Sequence, residues 1–223
     1  ESAQKGARDA LEAPRRLQSR TESPTLILSG LGDGKIAVAR CLLKELKTAT
    51  VIVSDLEAGR RAAKGGSYKV HEYTTATPEP PPPSYNAVVM NHLARPSRLA
   101  EAMTSDGRDA QLVTVLDART FLDDIERVAK LPRALVAAAK KDERAHLHDL
   151  SVIEVLAEFI ESADAIVLVQ TEQAHSDELE LMEGMLRELN PSATVVRRNG
   201  DGGRGKLLEH IVRASPGRPA PKE

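Results

Sequence analysis

The sequence holds a single cysteine, Cys41, in 223 residues. A disulfide framework or a CxxC site is thereby excluded, and a reducing cytoplasm is the expected location. Tryptophan is absent and aromatics make up only 2% of the chain. The core therefore falls to Leu, Val, Ile and Ala, and a stacking surface for single-stranded nucleic acid is not expected. Charge of one sign is missing too: 31 Lys and Arg stand against 33 Asp and Glu, for a net charge of -2. Neither a polyanionic partner nor an acidic membrane surface is implied. No apolar run has the length of a membrane span. The opening stretch "ESAQKGARDALEAPRRLQSR" is charged where a signal peptide would have its apolar core.

What is present is an alternation. Hydrophobic residues reach 41% and charged residues 29%, as in a globular domain, and the length suits one α/β domain with ragged ends. Residues 1–24 read as a polar leader. Six apolar runs read as strands: "TLILS" (25–29), "TATVIVSD" (48–55), "YNAVVMN" (85–91), "QLVTVLDA" (111–118), "ADAIVLVQ" (163–170) and "ATVVRR" (193–198). Between them the spacing predicts helices over 35–47, from Pro96 through Met103, and over 119–128, 132–148, 150–162 and 176–190. A final helix lies in "GRGKLLEHIVRA". In the 35–47 helix Val38, Leu42, Leu43 and Leu46 fall on one side, and Ser176 is the expected N-cap of its own helix. Residues 58–69 are basic and poorly periodic. "TPEPPPPS" (77–84) is a stiff polyproline connector, and residues 214–223 read as a disordered tail.

This order predicts a three-layer α/β domain with a mostly parallel sheet covered by helices on both faces. In such a sheet the ligand sits at the C-terminal strand ends. A Gly-Lys loop, Asp55, Asn91, Asp117 and the Gln170–Glu172 stretch all fall there.

The loop is "SGLGDGKIA" (29–37), between a strand and a helix. A phosphate-binding loop follows GxxxxGK[ST]: its amides wrap the phosphates, the lysine meets the outer ones, and the hydroxyl binds Mg²⁺. Gly30 and Gly34 are one residue too close for that pattern, and taking Ser29 as the first position restores the spacing. Lys35 is in place. Ile36 stands where the hydroxyl belongs, and Asp33 brings negative charge close by. An ordinary strand-to-helix turn is the competing reading. Bland readings also suit other residues: Asp117 as a cap on the helix near Thr120, Glu172 as a solvated acid, Asp55 as a turn residue, Cys41 as a small buried hydrophobe. His146 and His148 are two apart and face different sides of a helix, which makes no metal site.

Six pieces in order resemble the CobW-like branch of P-loop GTPases. "LSGLGDGKIA" stands for the family's strand and SGFLGAGKTT, and "VIVSDLEAG" for VIVNDxxE. "VMNHLARPSRLAEAM" corresponds to IExSGLAxP, and "LVTVLDARTFLDDI" is similar to VTVVDAxxFLxDL. "VLAEFIESADAIVLVQTEQ" resembles LxEQIExADVIVLNKTDL, and "LRELNPSATVVRR" resembles LRxLNPxAxIVR. The likeness covers residues 25–212, within a domain over 25–213.

The resemblance implies a GTP-binding protein of the metal-chaperone or cobalamin-related class, with nucleotide and a metalloprotein client as partners. It implies Ser29, Gly30, Gly32, Gly34 and Lys35 as phosphate-binding residues, Lys35 as the catalytic cation, and Gln170 and Glu172 at the guanine. Asp55 would be a magnesium partner. The departures fall on functional positions. Ile36 replaces the metal-binding Thr, Val89 and His92 replace the Glu and Gly of IExSG, and NKxD has become Val169, Gln170, Thr171 and Glu172. The family's CxCC metal motif is missing, and the chain ends before the family's usual C-terminal domain. The expectation is therefore weak GTP binding with very slow or no hydrolysis. The alternatives are an inactive pseudo-GTPase serving as an interaction module, or a domain for ATP or another phosphometabolite.

Overall fold

The structure, a computed structural model, describes residues 25–46, 49–53, 56–66, 68–72, 86–90, 96–97, 100–101, 110–126, 130–131, 136, 150–198 and 207–213. The expected leader, polyproline connector and tail lie outside the described residues, as do Asp55, Asn91, His92, His146 and His148. So does the expected 132–148 helix apart from the helical residue 136.

The strands are β1 (Thr25–Ser29), β2 (Ala49–Val53), β3 (Lys69–Glu72), β4 (Asn86–Met90), β5 (Ala110–Asp117), β6 (Ala165–Val169) and β7 (Thr194–Arg198). They form one sheet in the order β3-β2-β4-β1-β5-β6-β7, and every pairing between these strands is parallel. The helices are α1 (Gly34–Leu46), α2 (Leu56–Ala63), α3 (Phe121–Glu126), α4 (Val152–Ser162), α5 (Ser176–Leu189) and α6 (Leu207–Arg213), with a 3₁₀ turn at Thr171–Gln173. Residues 96–97 and 100–101 are helical as well.

The expected strands stand, and a seventh joins them. The stretch read as poorly periodic is α2 followed by the edge strand β3. Both are short, and an edge strand carries charged residues that break an apolar run. At α5 the cap is His175, one residue before the expected Ser176. The Glu178 carboxylate reaches back and accepts from the His175 backbone N–H at 3.1 Å, which moves the helix start back by a residue.

The two faces of the sheet carry separate apolar layers. Val38, Leu42, Leu43 and Leu46 of α1 pack with Ile211 of α6 against Val113 and Val115. Phe121, Leu156, Phe159, Met182 and Leu186, from α3, α4 and α5, cover Leu116, Ile166 and Leu168. Each such fully buried side chain contributes about 1.5–3 kcal/mol of transfer free energy. Because α1 and α3 take opposite faces while β1 and β5 are neighbours, the winding of the chain reverses where β1 meets β5. Among the described residues no helix is long and apolar enough to cross a membrane.

Candidate phosphate-loop site

β1 ends at Ser29, whose buried hydroxyl lies 2.9 Å from Thr114 Oγ1 on β5. Thr114 donates in turn to the Phe159 carbonyl at 2.7 Å. The Ser29 hydroxyl is thus engaged between the sheet and α4, and what Ser29 brings to the turn, where it was expected to bind phosphate, is its backbone. Gly30 follows with φ 138°, and a Cβ there would lie 2.4 Å from the Val115 carbonyl oxygen. Only glycine passes so close over the end of β5. Gly34 opens α1 against β6, where an added Cβ would meet Val169 Cγ2 at 2.9 Å. Gly32, at the exposed tip, would meet nothing within 4 Å.

Lys35 is 2% exposed, and its Nζ donates to the Gly30 carbonyl at 2.8 Å. The ammonium thus bridges the loop from the start of α1 back to its first glycine. Burying an ammonium is costly without such an acceptor. The Ile36 N–H is taken by the Asp33 carbonyl at 2.9 Å. Its side chain is 5% exposed and belongs to the α1 core with Val38 and Leu42. Asp33 points outward to Arg61 on α2, Nη2 to Oδ2 at 2.8 Å, with the side chains 75% and 52% exposed. A pair so exposed is worth about 0–1 kcal/mol. Arg40 on α1 donates to the Arg61 carbonyl at 2.9 Å and ties α2 to α1.

The end of β6 is built differently. Val169 is buried at 6% exposure, and Gln170 takes a left-handed conformation with φ 58° and ψ 31°. Glu172 is exposed on the following 3₁₀ turn. Beside it, at the end of β5, Asp117 Oδ1 accepts from the Arg119 backbone N–H at 3.0 Å, and Oδ2 from Arg119 Nη2 at 2.8 Å. Burial pushes the Asp117 carboxyl up, but hydrogen bonds and charge from Arg119 outweigh it and hold the group below the ordinary carboxylate range. The hydrogen bond to Asp117 raises Arg119 in turn, helped by the nearby charge of Glu172. Arg119 Nη1 also reaches Gln173 Oε1 at 3.4 Å, linking the ends of β5 and β6. Asp117 is thus not the expected side-chain cap of α3. Its backbone carbonyl takes the Thr120 N–H while its carboxylate holds Arg119.

The structure brings Gly30, Gly34 and Lys35 together around the β1–α1 turn, with Val169 behind Gly34 and Gln170 and Glu172 beyond it. Sequence reasoning missed Arg61 and Arg119. The DAR spacing at 117–119 is a usable signal for the second, since a strand-end aspartate folds back readily onto the residue two ahead. Nothing in the sequence ties residue 61 to residue 33. Cys41 is half-buried rather than buried, and its Sγ accepts from Arg198 Nη2 at 2.9 Å. Among the described residues no group of three or more His, Cys, Asp or Glu is placed to hold a metal ion.

No protein-family model matches the sequence. Among solved structures, a Zn(II)-bound triple mutant of the YjiA GTPase matches with TM-score 0.50 at 15% identity, over 79% of this chain and 58% of that one. The fold is α/β and P-loop NTPase-like. The Zn(II)-bound YjiA GTPase from E. coli also matches, with TM-score 0.41 at 13% identity over 78% of this chain and 57% of that one, and adds no weight. The chain spans under three-fifths of the length of these two structures. The Gly30–Lys35 turn joins the C-terminal end of β1, beside β5, to the start of α1.

Proposed function

We propose that this chain is a CobW-like GTP-binding protein of the metal-chaperone or cobalamin-related class, which binds a nucleotide polyphosphate weakly and hydrolyses it very slowly or not at all. The observation that carries the reading is the Lys35 ammonium, bonded to Gly30 O across the β1–α1 turn at the start of a 13-residue helix. The first-turn N–H groups of a helix lack intrahelical acceptors and attract anions. A phosphate in the turn would take the place of the Gly30 carbonyl as acceptor for Lys35, while first-turn N–H groups other than that of Ile36, which the Asp33 carbonyl holds, would meet its oxygens.

The residues fit a phosphate better than they fit the family's magnesium ion. The position of the metal-binding hydroxyl is Ile36, an apolar side chain sunk in the core. Phosphoryl transfer leans on cations that neutralise developing charge, so slow or absent turnover follows from Lys35 acting without that oxygen. At the base end, Gln170 and Glu172 stand where the family reads guanine, but the Asn position is the buried Val169. That favours weak base selectivity and brings ATP and other phosphometabolites into the panel of ligands.

A pseudo-GTPase that serves as an interaction module is the second reading, favoured by Ile36 and Val169 both being part of the α1-side core. A thermal-shift panel of GTP, ATP and pyrophosphate on the wild type and Lys35→Ala separates the two. Binding at a hundredfold excess over Kd stabilises by about 2.7 kcal/mol. The proposal expects a rise in Tm that Lys35→Ala abolishes, and the second reading expects none.

A further inference from the structure

Arg119 leaves β5 where the β1–α1 turn and the β6 corner meet. Two residues before it, Asp117 is paired in the sheet with Val169, the residue on which Gly34 packs, and the Val169 carbonyl takes the Ala118 N–H at 3.0 Å. The Arg119 guanidinium lies along the Asp117 carboxylate, Nε to Oδ1 at 3.1 Å and Nη2 to Oδ2 at 2.8 Å, and Nη1 reaches Gln173 Oε1 at 3.4 Å. Those contacts use three of the five N–H donors of a guanidinium, which leaves one on Nη1 and one on Nη2. The side chain is 43% exposed, so a ligand can reach that donor pair. Glu172, next to Gln173 on the same 3₁₀ turn, is exposed and near enough for its charge to act on Arg119.

A carboxylate beside a planar donor pair is the complement of guanine. The base offers the donors N1–H and N2–H₂ on one edge and the acceptors O6 and N7 on the next, and an arginine meets O6 and N7 with two N–H groups. The two edges adjoin at O6, so the groups that read them must stand side by side, as Glu172 and Arg119 do. Adenine sets an N6–H₂ donor where guanine has O6, and a guanidinium would face that donor with its own. The apolar Val169 offers neither edge a partner.

We propose that Arg119 reads the O6 and N7 edge of a guanine base whose other edge lies on Glu172. The inference rests on the nucleotide-binding reading above and sharpens it: the base preference is modest and for guanine, and the residue that sets it against adenine stands on the turn after β5.

The test is calorimetric titration of the full chain with GTP, ATP, 7-deaza-GTP and pyrophosphate. 7-deaza-GTP keeps the groups of guanine apart from the N7 acceptor. The wild type should bind GTP about tenfold more tightly than ATP, and 7-deaza-GTP severalfold more weakly than GTP. Arg119→Ala should erase the preference over ATP and bring GTP and 7-deaza-GTP level, and Arg119→Lys should keep part of it. A merely structural Arg119, whose loss loosened the corner, would weaken the three nucleotides together and leave their ratios unchanged. The comparison of GTP with 7-deaza-GTP on the wild type carries the test even if a variant fails to fold. Pyrophosphate binding by a wild type that takes the three nucleotides equally would overturn the arginine inference alone, as would wild-type ratios kept by Arg119→Ala. A wild type that binds neither pyrophosphate nor any nucleotide would overturn the nucleotide reading together with it.

Discussion

The turn after β1 and the corner after β6 meet at one end of the sheet, and they are built differently. The turn carries three glycines and a buried lysine. The corner has an apolar Val169, a left-handed Gln170 and a Glu172 that lies within the field of Arg119. The two are also in contact, since Gly34 packs on Val169, while Gly30 packs on Val115 of β5. The sheet alone explains glycine at 30 and 34, whatever the loop binds. Gly32 is the glycine of the turn that neither packing nor a positive φ requires.

That contrast can be broken by substitution. Gly30→Ala should have the largest effect, because strain at φ 138° adds to a clash with the Val115 carbonyl. A loss of about 3 kcal/mol or more is expected in urea denaturation. Gly34→Ala should be eased by Val169→Ala, with a coupling of about 1 kcal/mol in a double-mutant cycle, since the clash lies with Val169 Cγ2. Gly32→Ala should change stability by no more than about 0.5 kcal/mol yet weaken pyrophosphate binding, which calorimetry would read. The smallest effect should come from acid. The Asp117 carboxyl is held below its ordinary value, so its contribution is present above the unfolded pKa of about 4 and fades as pH falls through the lower folded value. Arg119→Ala should flatten that part of the stability profile.

The strands could be read from the sequence because a parallel sheet covered on both faces demands near-continuous apolar runs, and "TLILS" and "AIVLV" are fully buried as such runs should be. α2 and β3 escaped because a short basic helix and a charged edge strand leave no run to find. In the candidate site the loop was legible as spacing, but the directions of its side chains were not. Ser29 looked like a loop residue and is bonded within the sheet. Asp117 looked like a cap and holds a guanidinium. Arg61 meets Asp33 across 28 residues of chain, a pairing that only the packing of α2 on α1 creates.

The central claim is that the β1–α1 turn still receives phosphate. Amide NMR of the ¹⁵N-labelled chain titrated with pyrophosphate tests it most directly. The account predicts that the resonances of Gly30, Gly32, Gly34 and Lys35 move together in a saturable way, while those of Gln170–Gln173 stay nearly still. Loop resonances that hold their positions at millimolar pyrophosphate would contradict it.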